Sequence, residues 1–136
     1  MKAKVDLILR LLLGLGLVVF GLNKFIGFMP PPEMPEAAGN LMGAFVQSGY
    51  MMPLIAIVEI VTGALLLSGF FVPLALVLLA PLTLNIILFH LALAPGGIVP
   101  GLVFFAINVY LLVVNIDAYR PLLRAKQPAP AEEPPA

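Results

Sequence analysis

The 136 residues carry seven Lys and Arg against seven Asp and Glu, are 62% hydrophobic and 10% charged, and have a mean hydropathy of +1.12. Soluble domains run about 45–50% apolar and about 25% charged; a water-soluble fold of this size has no room to hide so much apolar surface, and the chain reads as an integral membrane protein. The balanced charge excludes a nucleic-acid partner, the absence of Cys excludes disulfides and thiol chemistry, and one His cannot supply a His-based metal site or both axial ligands of a haem.

Fourteen prolines punctuate the chain. Proline is tolerated in the first turn of a helix and disfavoured inside one. The apolar runs between prolines predict four membrane helices over residues 5–28, 51–70, 72–94 and 100–119. Each has about 20 residues or more, enough to cross a hydrocarbon core of ~30 Å, and none alternates as a membrane strand would. The predicted fold is therefore all-α, a membrane four-helix bundle over residues 1–120. Lys2 and Lys4 precede the first run, which is too long for a signal-peptide core and lacks a small-x-small cleavage site, so it reads as a retained helix.

The link 29–50 opens with Pro30, Pro31, Pro32 and Pro35, which forbid a helix there. Ala38, Leu41, Met42 and Phe45 then recur at helical spacing, which predicts a short helix lying on the membrane surface or folding back over the bundle. In the third span, Pro81 removes one backbone bond and frees the Val77 carbonyl, which predicts a kink. The tail 121–136 is rich in Pro, Ala and Glu and reads as disordered. Lys2, Lys4, Arg120, Arg124 and Lys126 flank the spans on one side, whereas the link 29–50 has Glu33 and Glu36 and no cation. The positive-inside rule then places both termini in the cytoplasm.

Polar groups inside a bilayer are expensive and mark function or specific packing. Arg10, Asn23, Lys24, Glu59, Asn85, His90 and Asn108 are the candidates for a polar core or ligand site. At ~1.5 Å per residue, Lys24 and His90 lie ~12 Å outward from mid-span, Glu59, Asn85 and Asn108 within ~5 Å of it, and Arg10 and Asn115 ~8–9 Å toward the cytoplasm. Arg10, Gly14, Leu17, Gly21 and Lys24 form one stripe down the first helix; Met52, Ala56, Glu59, Gly63 and Leu66 form one down the second. The glycines permit close helix approach.

Glu59 near mid-span needs a partner. Lys24 is the first candidate, Arg10 the second, and a neutral Glu59 bonded to an Asn the alternative. Such a core either fixes helix register or lines a small outward-facing cavity that binds a ligand head group or relays a proton. Asn85 and His90 are five residues apart, ~140° around the helix, and are not expected to face one site. Asn115 and Tyr119 read as cytoplasmic interface residues. No catalytic or nucleotide-binding motif is present, and catalytic residues cannot be named from the sequence.

Arg10, then Gly21-Leu22-Asn23-Lys24-Phe25, then Glu59-Ile60-x-x-Gly63 followed by Leu65-Leu66-Leu67-x-Gly69, resemble the DoxX family of small four-helix bacterial membrane proteins, over roughly residues 5–120. The family pattern carries over onto Arg10, Lys24, Glu59 and Gly63. The resemblance implies a bacterial inner-membrane protein, an accessory component of a redox or stress-response system, named for similarity to a subunit of a thiosulfate–quinone oxidoreductase. The missing cysteines exclude thiol-based electron transfer. Two readings follow: an accessory or assembly protein that contacts the lipid bilayer and another membrane protein or redox complex, or an oxidoreductase component binding a quinone or small sulfur compound through Lys24, Glu59 and His90. No metal and no certain cofactor is implied.

Overall fold

Among the described residues, four helices are long and apolar enough to cross a membrane: Lys2–Ile26, Met51–Ser68, Val72–Leu93 and Pro95–Val114. The structure is a computed structural model that describes residues 1–131, 134 and 135. Of the tail expected to be disordered, residues 132, 133 and 136 lie outside the described residues. No strand occurs among the described residues.

The first helix, α1 (Lys2–Ile26), ends at Gly27, whose φ of 70° is the left-handed conformation that glycine adopts freely. A short amphipathic helix, α2 (Glu36–Gln47), follows the proline run and buries Ala38. The helix α3 (Met51–Ser68) stops at Gly69, with φ 81°. A tight turn leads into α4 (Val72–Leu93), and a 3₁₀ turn over Pro95–Gly97 leads into α5 (Ile98–Val114). The fourth span, expected to run to residue 119 as one helix, is interrupted at Asn115. There the side-chain Nδ2 donates back to the Leu111 carbonyl at 2.7 Å, and a single turn, α6 (Ile116–Tyr119), continues. Asn favours such side-chain-to-backbone bonds, which compete with the helix.

The bundle is closed by α1 packing on α3, α4 on α5, and contacts of α3 with α4 and α1 with α5. Leu13, Leu17, Leu66, Ala75, Leu76, Leu79 and Leu111 form its core. The opposite faces are apolar too: Leu12, Leu15, Ile57, Leu78, Leu88 and Val103 are each 48–55% exposed. Helices apolar on every side are at home in lipid and not in water. The chain is a multi-pass membrane protein.

The α1–α3 contact depends on glycine. A Cβ on Gly14 would lie 2.9 Å from the Gly63 carbonyl oxygen, and one on Gly63 would lie 2.7 Å from the Gly14 carbonyl oxygen. The two backbones touch there, as small residues at membrane interfaces allow. The predicted stripes are the buried faces: Gly14, Leu17 and Gly21 on α1, and Ala56, Glu59, Gly63 and Leu66 on α3.

Around Pro81, α4 and α5 are stitched by polar groups. Asn108 is fully buried; its Nδ2 donates to the Leu76 carbonyl at 3.2 Å, and its Oδ1 accepts from Thr83 Oγ1 at 3.0 Å. The α5 amide thus meets α4 one residue before Val77. Tyr119, read from the sequence as interfacial, is instead buried, and its hydroxyl donates to the Pro73 carbonyl at 2.8 Å. The break at Asn115 accounts for this, because it precedes the single turn of α6 that carries Tyr119 onto the start of α4.

Candidate functional site

Close approach of α1 and α3 sets the site. Gly21 lies against α3 where Glu59 emerges: a Cβ there would be 3.1 Å from the Ala56 carbonyl oxygen and 3.2 Å from Glu59 Cβ. One turn further on, Lys24 reaches back, and its Nζ donates to Glu59 Oε2 at 2.8 Å. The side chains are 20% and 6% exposed, so little water screens the pair. Of the three arrangements open from the sequence, Glu59 adopts the pairing with Lys24; neither Arg10 nor an Asn side chain bonds to it among the described residues.

The pair forms part of the wall of a cavity of about 450 Å³. From α3 the wall takes Met52, Ile55 and Glu59; from α4, Leu82, Asn85, Ile86, Phe89 and His90; from the start of α5, Gly101 and Phe104. The helix α2 folds back over it with Leu41, Met42 and Phe45, the apolar set whose spacing predicts that helix. Phe20 and Phe104 meet edge to face, ring centres 5.6 Å apart, at 74°.

Two polar groups stand apart from the ion pair. His90 Nδ1 is 3.1 Å from the Ala94 carbonyl oxygen. A carbonyl only accepts, so Nδ1 carries the hydrogen, and in the neutral ring Nε2 is left as an acceptor. The ring packs on the start of α5: a Cβ at Gly101 would lie 3.3 Å from His90 Cδ2, and one at Gly97 3.3 Å from Cε1. Asn85 is exposed along the cavity wall, and its side chain makes no hydrogen bond among the described residues. An amide left unpaired near mid-span favours a polar ligand beside it.

Asn85 and His90, expected to face apart, both line this cavity. It spreads across a broad sector of α4 because α2 closes over that helix from the side, so two directions that diverge on a helical wheel open into one space.

The remaining candidates lie elsewhere. Asn23 caps the end of α1: its Oδ1 accepts from the Met29 backbone N–H at 2.7 Å, and its carbonyl from the Gly27 N–H at 2.7 Å. Asn108 belongs to the α4–α5 clamp. Arg10 is at the other end of the bundle, its guanidinium beside Gly69 at the C-terminus of α3. Asp6, not singled out by sequence, accepts from the Tyr110 hydroxyl at 2.7 Å. It precedes Arg10 by one turn, so following the α1 stripe one step further points to it. Among the described residues, no three His, Asp or Glu stand close enough together to hold a metal ion.

Chemically, this cavity is an apolar, partly aromatic chamber with two donors, the Lys24 ammonium and the Asn85 amide, and two acceptors, the Glu59 carboxylate and His90 Nε2. Such a chamber suits a lipophilic molecule with a small polar head.

A sequence profile of the DoxX family matches residues 5–92, from α1 almost to the end of α4. The match is narrower than the resemblance, which extends to residue 120; it includes Arg10, Lys24, Glu59 and Gly63 and leaves α5 outside. Comparison with curated proteins gave no match, and neither did comparison with solved structures. Matched over well more than half its length, with the ion pair and the glycine contact inside the matched segment, the chain belongs to the DoxX family.

Proposed function

We propose that this protein is an accessory component of a redox or stress-response system in the bacterial cytoplasmic membrane, and that it serves by holding the head of a lipophilic ligand in the outer cavity. The observation that carries this reading is the Lys24–Glu59 pair set into the wall of an otherwise apolar cavity that also presents Asn85 and His90. A register-fixing pair has no need of a chamber beside it.

A quinone is the ligand class that fits. Its flat apolar ring suits the space among Phe20, Phe89 and Phe104, and its carbonyl oxygens suit the Lys24 and Asn85 donors. Bound there, a quinone supplies two-electron, two-proton chemistry. The chain's own part is to orient the head, exclude water and hold protons at Glu59 and His90 Nε2. Electrons come from a partner protein in this reading. With the positive-inside orientation, the cavity faces the outer side of the membrane. The catalytic reading, a component that turns over a quinone or small sulfur compound, rests on the same residues and requires measured turnover.

Titration of the detergent-solubilised protein with decylubiquinone by isothermal calorimetry tests the proposal. Saturable binding is expected, weakened about tenfold or more by Lys24→Met or Asn85→Leu, since a hydrogen bond to a charged or buried partner carries at least that much. Absence of saturable binding by the folded wild type, or unchanged affinity in both folded variants, contradicts it.

A further inference from the structure

The opposite end of the bundle holds a second cavity, of about 490 Å³, which the outer site does not use. Asp6 and Arg10 of α1, Gly69, Val72 and Asn115 line it. Arg10 Nε is buried and has no hydrogen-bond partner among the described residues. Among the described residues no carboxylate lies within ion-pair distance of its guanidinium. Asp6 and Arg10 are four residues apart on one helix face, where such a pair ordinarily closes. Here it is held open: the Tyr110 hydroxyl engages Asp6 Oδ1 at 2.7 Å, and the guanidinium turns toward Gly69. Asn115 spends its Nδ2 on the Leu111 carbonyl, which leaves its Oδ1 as an acceptor.

One cavity therefore offers a cation and an anion kept apart, each with unspent hydrogen-bonding capacity. A simple anion meets Asp6 there and a simple cation meets Arg10. A group carrying both charges meets neither repulsion. We propose that this cavity binds a phosphoethanolamine headgroup, with the phosphate on Arg10 and the ammonium on Asp6 and Asn115. The planar guanidinium matches two phosphate oxygens, and a primary ammonium supplies the N–H donors that Asp6 Oδ2 and Asn115 Oδ1 accept. A choline group has no N–H to give. The site is at the end of the bundle that carries Lys2, Lys4, Arg120, Arg124 and Lys126, where lipid headgroups lie and where a long Arg side chain reaches them. The inference is independent of what the outer cavity binds.

Native mass spectrometry of the delipidated full chain tests it, with equal amounts of dioleoyl phosphatidylethanolamine, phosphatidylcholine and phosphatidylglycerol added in detergent. The ethanolamine lipid is expected to be retained about tenfold over each of the others. Arg10→Gln abolishes retention, and Asp6→Asn removes the preference over phosphatidylcholine. Tyr110→Phe deletes one hydroxyl, lets Asp6 close on Arg10, and lowers retention about tenfold, the loss of a charge-assisted contact. Helical circular dichroism confirms the fold, and Tyr110→Phe carries the test if the charge variants do not fold. A further arm adds O-phosphoethanolamine: competition at equal concentration assigns the same chemistry to a soluble solute, and its failure assigns it to the lipid. Equal retention of all three lipids, preference for phosphatidylglycerol, or wild-type preference in folded Tyr110→Phe overturns the proposal.

Discussion

Replacing Gly63 by alanine puts a methyl group 2.7 Å from the Gly14 carbonyl oxygen, 2.8 Å from Val18 Cγ2 and 3.0 Å from the Val18 nitrogen. Two of these neighbours are backbone atoms and cannot rotate away, so α1 and α3 must separate by several tenths of an ångström. Overpacking of this kind costs about 1–3 kcal/mol, and the rigid backbone contacts put Gly63 at the upper end. Alanine also favours the helix by roughly 1 kcal/mol over glycine. The net loss is then about 2 kcal/mol. Equilibrium unfolding by SDS titration in mixed micelles, followed by far-ultraviolet circular dichroism, measures it. Gly43 supplies the control. It sits inside α2 with nothing within 4 Å of its Cβ position, and alanine there should stabilise by about 0.5–1 kcal/mol. A Gly63→Ala protein within 0.5 kcal/mol of wild type, roughly the scatter expected of an uninvolved surface site, refutes the argument that backbone contact sets the α1–α3 interface.

Three further outcomes follow from the packing. Lys24→Met leaves a buried carboxylate without its cation and should cost about 3 kcal/mol, whereas after Glu59→Gln the Lys24 ammonium can reach the interface, so that change costs less. The double variant should resemble Glu59→Gln alone, and additive single effects in the same SDS titration speak against a coupled pair. Asn108→Leu removes both bonds of the α4–α5 clamp, leaves the Thr83 hydroxyl only the Ala80 carbonyl, and overfills a fully buried position, for an expected loss of about 1–3 kcal/mol by that titration. Because the chain has no Cys, single cysteines report topology without background: Glu36→Cys should react with a membrane-impermeant maleimide in intact cells and Arg124→Cys should not, and the reverse pattern inverts the orientation.

Much of the architecture is legible in the sequence because its causes are local. Proline cannot sit in most helical positions, so its placement separates the runs, and a period of three to four residues exposes the stripes that hold Gly14, Lys24, Glu59 and Gly63. Pairing of Lys24 with Glu59 follows from depth and stripe together. What sequence alone misses depends on how α2 and the last turn fold back. Asn85 and His90 diverge on α4, and only the α2 cover makes one chamber of both sides. Tyr119 reads as interfacial until the break at Asn115 brings it onto Pro73. Asn23 sits beside Lys24 in the sequence and reads as part of the polar core, yet Gly27 four residues later is a helix stop signal that points to its capping role. Arg10 and Asp6 show the same limit: the spacing suggests a closed pair, and Tyr110, more than a hundred residues away from Asp6, holds it open.

The central claim is that the outer cavity takes a lipophilic head group. Photo-crosslinking with an azido-benzoquinone in native-like nanodiscs, followed by peptide mass spectrometry, tests it most directly. Labelling is expected at Met42, Phe45 and Phe89, and decylubiquinone should compete it away. Labels scattered over lipid-facing residues such as Leu15, Ile57 and Val103, with no competition, contradict the account.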